Sequence, residues 1–478
     1  MTRLADGLAR TVLFGTTTFA VVVHALLQSR IAVPAWSLPA AFVIGAILAV
    51  VLPSPIGVPD EATPTPRRRL VAWVALMLLA FAGAMLAYGA IATPARSWDG
   101  ATSWELRARA FAAAPTLDQP LFRDPAVYGH TREYPVLQPM LLACVARLGA
   151  GIDGARAVFP TLWLTLLALC AGTWRRLGAT LLLRTGLLVG FGLTPMLVDP
   201  TMGGVDSGFA DVFALLALTA AAAGLVTRDH WLTAAAVLLC VVVKPEGLLH
   251  AMIVVVIAWL AGELRILCAA LLGAIAGALL WLPLYLGLVG QHVDVADLAV
   301  RLVAIAVPIV VSGAWVRARR PRYGMRIAVL VTGAGVALAG AYWLTEVLGG
   351  LGSRAGVLGV YLDGDMRARA RLVELPRILG WLAAYAFAPK YFGFIAPLLV
   401  ALMLWGRGDR HRGRVLGALL LVGLASLALP FLASPETDLA HHVRSSLDRL
   451  MLHWVGVAWL LAGVRWSDHA VAGTGLTR

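Results

Sequence analysis

Apolar stretches of near span length recur along the whole chain, separated by short polar segments. They cover residues 11–28, 36–52, 70–92, 157–173, 180–198, 207–226, 231–243, 247–262, 266–288, 297–316, 327–348, 378–404, 415–433 and 449–464, with a shorter run at 135–149. A helix needs about 20 apolar residues to cross a bilayer. Backbone polar groups inside the bilayer must be bonded within the segment, so the runs predict α-helices. No ten-residue alternation of the kind a membrane barrel requires is present. The pattern predicts an all-α polytopic membrane protein, a bundle of about 13–14 transmembrane helices.

The polar segments are of two kinds. Arginines collect at Arg67–Arg69, Arg175/Arg176, Arg228, Arg265, Arg317 to Arg326 and Arg407 to Arg414. Acids and histidines collect in 93–134, 199–206, 349–377 and 434–448. Arginine-rich short loops stay on the inner side of the membrane. The two kinds keep to opposite sides only if 135–149 does not cross, and that run is short for a span. This gives 14 spans with both termini inside, four outer loops, and juxtamembrane helices on the outer side. Three parts follow. Residues 1–69 hold two helices and a basic inner loop. Residues 70–262 form a core with the first large outer loop, 93–134. Residues 263–478 carry the remaining helices with outer loops 349–377 and 434–448. Arg3 and Arg10 precede the first apolar run and no small-residue cleavage site follows, which predicts an uncleaved first helix.

Composition narrows the class. The chain has 478 residues, 60% hydrophobic and 14% charged, whereas soluble domains carry about 25% charged residues. A soluble enzyme and a disordered chain are both excluded. The net charge of +13 does not signal a nucleic-acid partner, because the arginines sit between apolar runs and not along a soluble face. Lys244 and Lys390 are the two lysines. Cys144, Cys170, Cys240 and Cys268 lie in apolar runs without metal-ligand spacing and read as small buried hydrophobes.

Five outer segments carry the candidate chemistry. Asp99, after the third helix, reads either as a helix cap or as a carboxylate placed to take a proton from an acceptor hydroxyl. Behind it, Trp104 and Phe111 share a helical face suited to the membrane interface. Glu133-Tyr134-Pro135 opens the short run, where Pro135 fits a helix start. Asp206 reads as an N-cap, whereas Asp211 sits a turn inside an apolar helix, where an ionisable group is functional by default. The two acids do not share a face and form no metal pair. Lys244-Pro245-Glu246-Gly247 offers either a turn with a local ion pair or a device that orients a phosphate. In His441-His442-Val443-Arg444-Ser445-Ser446-Leu447-Asp448, Arg444 and Asp448 can pair at i,i+4, and Arg444 with His441 suits a phosphate. Asp363-Gly364-Asp365 reads as a solvated turn more readily than as a metal site.

In order and content these segments resemble the GT-C class of membrane glycosyltransferases, which includes the protein O-mannosyltransferases and the lipid A aminoarabinose transferases. The class has an acid in the first large outer loop, matched by Asp99. A Tyr-Pro-Pro-Leu-like element follows, matched by Tyr134-Pro135-Val136-Leu137, with valine at the second proline. Ala210-Asp211, Lys244-Pro245-Glu246-Gly247 and Ser446-Leu447-Asp448-Arg449-Leu450 match later elements. The resemblance covers about residues 95–260 and the late segment. It implies a GT-C-like bundle and a polyprenyl-phosphate-linked sugar as donor. The acceptor is then a lipid, glycan or protein on the outer side of a bacterial inner membrane. It further implies Asp99 as base and Tyr134, Asp206, Asp211, Lys244, Glu246, His441, Arg444 and Asp448 as substrate-binding residues, with Lys390 a further candidate cation. No cofactor and no metal site are called for. Two other readings remain. A transporter or lipid flippase would line a path through mid-bilayer with charge, whereas here the acids gather at one face. An acyltransferase or polymer ligase would use His441 or His442 with Asp448.

Overall fold

The computed structural model describes residues 2–52, 65–95, 97, 99–124, 134–199, 204–288, 295–319, 371–405, 408–434, 436 and 438–467. Helix Asp211–Thr227 is apolar on every side after its first residue, and all of its residues are buried. A helix that is hydrophobic all round belongs in the middle of a bundle, and this one is the axis. Helices Val158–Arg176, His230–Val243 and Leu439–Trp466 pack directly against it. The last of these approaches most closely at Gly456, where a Cβ would overlap the Thr219 side chain. Small residues let helix backbones meet in this way within membranes.

Outside this centre, Thr2–Gln28 pairs with Ser37–Val51, and Leu264–Leu288 pairs with His230–Val243. Pro283 lies inside Leu264–Leu288. Without an N–H it leaves the Leu279 carbonyl unbonded within the helix. The Gln28 amide supplies the missing donor, reaching Leu279 O at 3.0 Å and Leu280 O at 2.8 Å.

Among the described residues, seven helices are long and apolar enough to cross a membrane: Asp6–Gln28, Pro66–Ala92, Val158–Arg176, Leu264–Leu288, Val295–Trp315, Arg410–Leu432 and Leu439–Trp466. Six further apolar helices among the same residues, Asp211–Thr227, His230–Val243 and Gly247–Leu260 included, are shorter. No strand occurs among the described residues. The chain is therefore an all-α polytopic protein. Pro66–Ala92 and Val295–Trp315 are the least buried of the seven. The predicted run 327–348, the Asp363-Gly364-Asp365 turn and Glu133 lie outside the described residues. The 135–149 run becomes a nine-residue helix, Leu137–Val145, followed by a π-turn. At about 1.5 Å per residue it is too short to span, and it lies against Leu106–Ala113.

Two predicted spans are not continuous. The 180–198 run is helix Leu181–Gly192, a break at Leu193-Thr194, and Pro195–Val198. The 378–404 run is three pieces, Leu375–Phe387, Pro389–Phe392 and Ile395–Trp405. Prolines at the restarts forbid the preceding residue a helical conformation, and Gly393 takes a positive φ of 63°. Both breaks interrupt apolar runs that read as unbroken by hydropathy alone. They pack on one another, with the Pro195 ring beside Gly393.

Charge closes both ends of the axis. At one end Arg10 pairs with Asp229 and Arg176 with Asp6, and Arg228 meets Glu263 at 2.7 Å. At the other end stands Asp211.

Candidate functional site

Asp211 is the first residue of the axial helix and not a turn inside it, because the helix starts one turn later than the apolar run 207–226; its side chain is 1% exposed. Its carboxylate is fully occupied. Oδ1 accepts from Lys244 Nζ at 2.9 Å and from His453 Nε2 at 2.7 Å. Oδ2 accepts from Nε and Nη2 of Arg449, each at 3.3 Å. An ionised carboxylate only accepts hydrogen bonds, so the His453 proton facing it is on Nε2. The His250 ring meets that of His453 edge-on, with centroids 5.1 Å apart.

Arg449 joins this buried carboxylate to the segment that follows Pro66–Ala92. Its Nη1 donates to Asp99 Oδ2 at 2.6 Å, and its guanidinium lies 3.7 Å from the centre of the Phe209 ring. Asp99 heads the π-turn Gly100–Glu105 but makes no capping bond with its side chain. Ser97 does that work, because its Oγ accepts the Gly100 N–H at 2.8 Å. The carboxylate of Asp99 is thus turned to Arg449.

The loop bearing Asp99 is fixed from two sides. Arg107 is fully buried and donates to the carbonyls of Tyr134 at 2.5 Å and Pro135 at 3.4 Å. Glu105 accepts from Arg156 at 2.9 Å and from Arg109 at 2.6 Å, and Arg156 also reaches the Thr93 carbonyl at 2.7 Å. Burial pushes the Glu105 carboxyl up, but the hydrogen bonds and charges of Arg156 and Arg109 outweigh it and hold its pKa below the ordinary 4.5. Trp104 and Phe111 do share a face, yet both are buried and not at the lipid interface. Their helix lies on Leu137–Val145, so Phe111 stacks on Phe122 at 4.7 Å and Trp104 leans on Tyr134 at 5.7 Å.

These groups line a cavity of about 600 Å³. Its polar and aromatic lining includes Asp99, Ser103, Trp104, Tyr134, Lys244, Glu246, His442, Ser446 and Arg449. Leu248, Leu249 and Met252 of Gly247–Leu260, with Leu429, Pro430 and Leu450, form an apolar wall. Of the residues read from the sequence, Asp99, Tyr134, Lys244 and Glu246 come together here, with Asp211 directly beneath. Lys244 bonds chiefly to Asp211; Glu246 is 3.8 Å from it. The site also explains Gly247, since a Cβ there would overlap the Cys240 carbonyl.

Asp206, His441, Arg444 and Asp448 are not among the lining residues. Asp206 sits in a 3₁₀ turn and its carboxylate abuts Gly89, so it does not cap the axial helix. On Leu439–Trp466, residues 442, 446 and 449 share the face toward the cavity, whereas His441, Arg444 and Asp448 follow a different face. Arg444 is exposed and does not pair with Asp448, whose carboxylate accepts the Arg449 N–H at 2.8 Å. Lys390 is exposed and lies over Tyr391. Sequence reading missed His453 and His250, placed Arg449 in the late motif without giving it a role, and raised His442 only for an acyltransferase or ligase. The helical period from Arg449 picks out Ser446 and His442, but the choice of face needed the bundle. Among the described residues no group of three or more His, Cys, Asp or Glu is disposed to hold a metal ion.

No protein family, curated protein or solved structure matches the chain.

Proposed function

We propose that the chain transfers a sugar, with inversion, from a polyprenyl-phosphate-linked donor to an acceptor hydroxyl at the outer face of a bacterial inner membrane. The observation that carries this reading is one cavity whose lining combines two cations and a partly exposed carboxylate with a set of aliphatic side chains. A lipid-linked donor has that same division, with its phosphate among charges and its chain along leucines. Lys244 Nζ and Arg449 Nη1 are the cations available to the leaving phosphate, a role the sequence reading had given to Arg444. Stabilising charge that develops on a leaving group is commonly the largest catalytic contribution. The acceptor O–H gives its proton to the Asp99 carboxylate as its oxygen bonds to the sugar C1. The C1–O bond to the phosphate breaks on the opposite side, and the phosphate leaves with the electron pair. Trp104 and Tyr134 flank the space for the sugar. The acceptor is a lipid, glycan or protein. The 14-span topology with both termini inside belongs to the same proposal and sets the cavity at the outer face.

The test is label transfer by the purified protein in nanodiscs from a panel of radiolabelled polyprenyl-phosphate sugars to envelope acceptors. Transfer that disappears in Asp99→Asn supports the reading, and full activity in that variant removes Asp99 as base. One observation favours a second reading, a transporter or flippase. The interrupted helices at Gly192/Pro195 and Ala388/Gly393 pack together at their breaks, an arrangement that suits moving parts. Movement of labelled prenyl phosphate across proteoliposomes, unaffected by Asp99→Asn and without sugar transfer, favours that reading.

A further inference from the structure

The contact between Asp99 and Arg449 is unexpected in a site that must bind an anion. Two of the three nitrogens of Arg449 are committed to Asp211, and its flat face is committed to Phe209. Nη1 is the remaining donor edge toward the cavity, and Asp99 occupies it. The charge balance points the same way. Lys244 and Arg449 face Asp99, Asp211 and Glu246, so the floor of the cavity holds two cations and three carboxylates. A phosphate arriving there finds no uncommitted positive charge until one carboxylate withdraws.

Asp211 cannot withdraw, since it is buried beneath the other groups. Asp99 can. It is 38% exposed, against 1% for Asp211. Its turn is held by Ser97, so the carboxylate can rotate away without breaking the cap. Arg449 is its one hydrogen-bond partner among the described residues. Removing it leaves a guanidinium edge still anchored from behind, the geometry with which arginine takes a phosphate oxygen.

We propose that Asp99 is an internal competitor for the donor phosphate. At rest it holds Nη1 of Arg449. The lipid phosphate displaces it, and the displaced carboxylate is then free of its cation and able to take the acceptor proton. Donor binding and release of the base become one event, so the base is unmasked only when a donor is present. The inference rests on the proposed glycosyl transfer, and it assigns Asp99 a second role that opposes binding.

The two roles separate in a binding measurement that needs no sugar. Farnesyl phosphate, which carries the lipid and phosphate common to such donors, is titrated onto the full-length protein in nanodiscs of zwitterionic lipid. Exposed ion pairs are weak, so loss of the competitor is expected to tighten binding about two- to fivefold. Asp99→Asn is expected to bind tighter than wild type although it does not turn over, and Asp99→Ala, which removes the side chain, is expected to change in the same direction. Arg449→Ala is expected to lose binding. Equal or weaker binding by both Asp99 variants, with wild-type binding intact and lost in Arg449→Ala, overturns the competition and leaves the site assignment standing. No binding by wild type, or binding indifferent to Arg449→Ala and Lys244→Ala, overturns the phosphate reading and the competition with it.

Discussion

Asp211→Asn is the most informative single change to the core. Asparagine keeps the volume and removes the charge on which Lys244, Arg449 and His453 converge. Breaking a buried ion pair by removing one partner costs about 3–5 kcal/mol, because it strands the other charge. The structure divides that cost unevenly. Arg449 keeps Asp99 at 2.6 Å and is 20% exposed, so it is little harmed. Lys244 is only 6% exposed and keeps Glu246 alone, at 3.8 Å. The loss therefore falls mainly on the lysine, and about 3 kcal/mol is expected, the low end of that range. Reversible unfolding in mixed micelles measures it. If the stranded ammonium is the cause, Lys244→Met in the Asp211→Asn background restores stability, with a coupling of about 1–3 kcal/mol in the double-mutant cycle. A loss below about 1 kcal/mol, or additive single changes, refutes the assignment of Asp211 as the buried anchor.

Three further outcomes follow from the same contacts. Arg107→Met strands the Tyr134 and Pro135 carbonyls and is expected to cost about 1–3 kcal/mol, with faster hydrogen exchange confined to residues near 100–145. Because the folded Glu105 has its pKa below the ordinary 4.5, the stability it contributes is present above that value and is lost as pH falls through the folded pKa. Glu105→Gln is expected to flatten the acid limb of the stability–pH curve below about pH 4.5, and an unchanged limb removes Glu105 as its source. Gly247→Ala forces a methyl into the Cys240 carbonyl and is expected to cost about 1–3 kcal/mol as an overpacking change, with weakened phosphate binding because the Lys244 turn must shift.

The bundle was legible because hydropathy dictates it. Water-free surroundings leave the backbone no alternative to a helix, so most apolar runs appear as helices. The breaks at Thr194, Ala388 and Gly393 were hidden because a transmembrane helix can also carry proline and glycine. Their effect depends on what packs beside them. The candidate site was half legible for a similar reason. Asp99, Tyr134, Lys244 and Asp211 stand out as polar groups at the edges of apolar runs. Arg449 and His453 do not, because each looks like one more residue of a long amphipathic helix. Choosing Arg444 over Arg449 was a choice of helix face. Only the axial helix, by presenting Asp211, decides which face of Leu439–Trp466 turns inward.

Energetics give a reason to regard the cluster as a site and not as a fastener. Four polar side chains at the head of the axial helix must be desolvated, and their mutual attraction rarely does more than offset that cost. Leucines and methionines in the same positions would fill the volume at lower cost, as the rest of Asp211–Thr227 does with alanine, leucine and valine. The far end of the axis makes the contrast. There Arg10 and Asp229 are buried as a pair, Asp229 also caps the next helix through the Leu232 N–H, and the lining of the main cavity includes neither. At the Asp211 end the buried carboxylate holds Arg449 and Lys244 while both remain at the edge of a cavity with an aliphatic wall. An apolar cluster cannot hold two cations at the edge of a cavity and keep them directed at one point, and that capacity is what the proposed anionic, lipid-linked substrate requires.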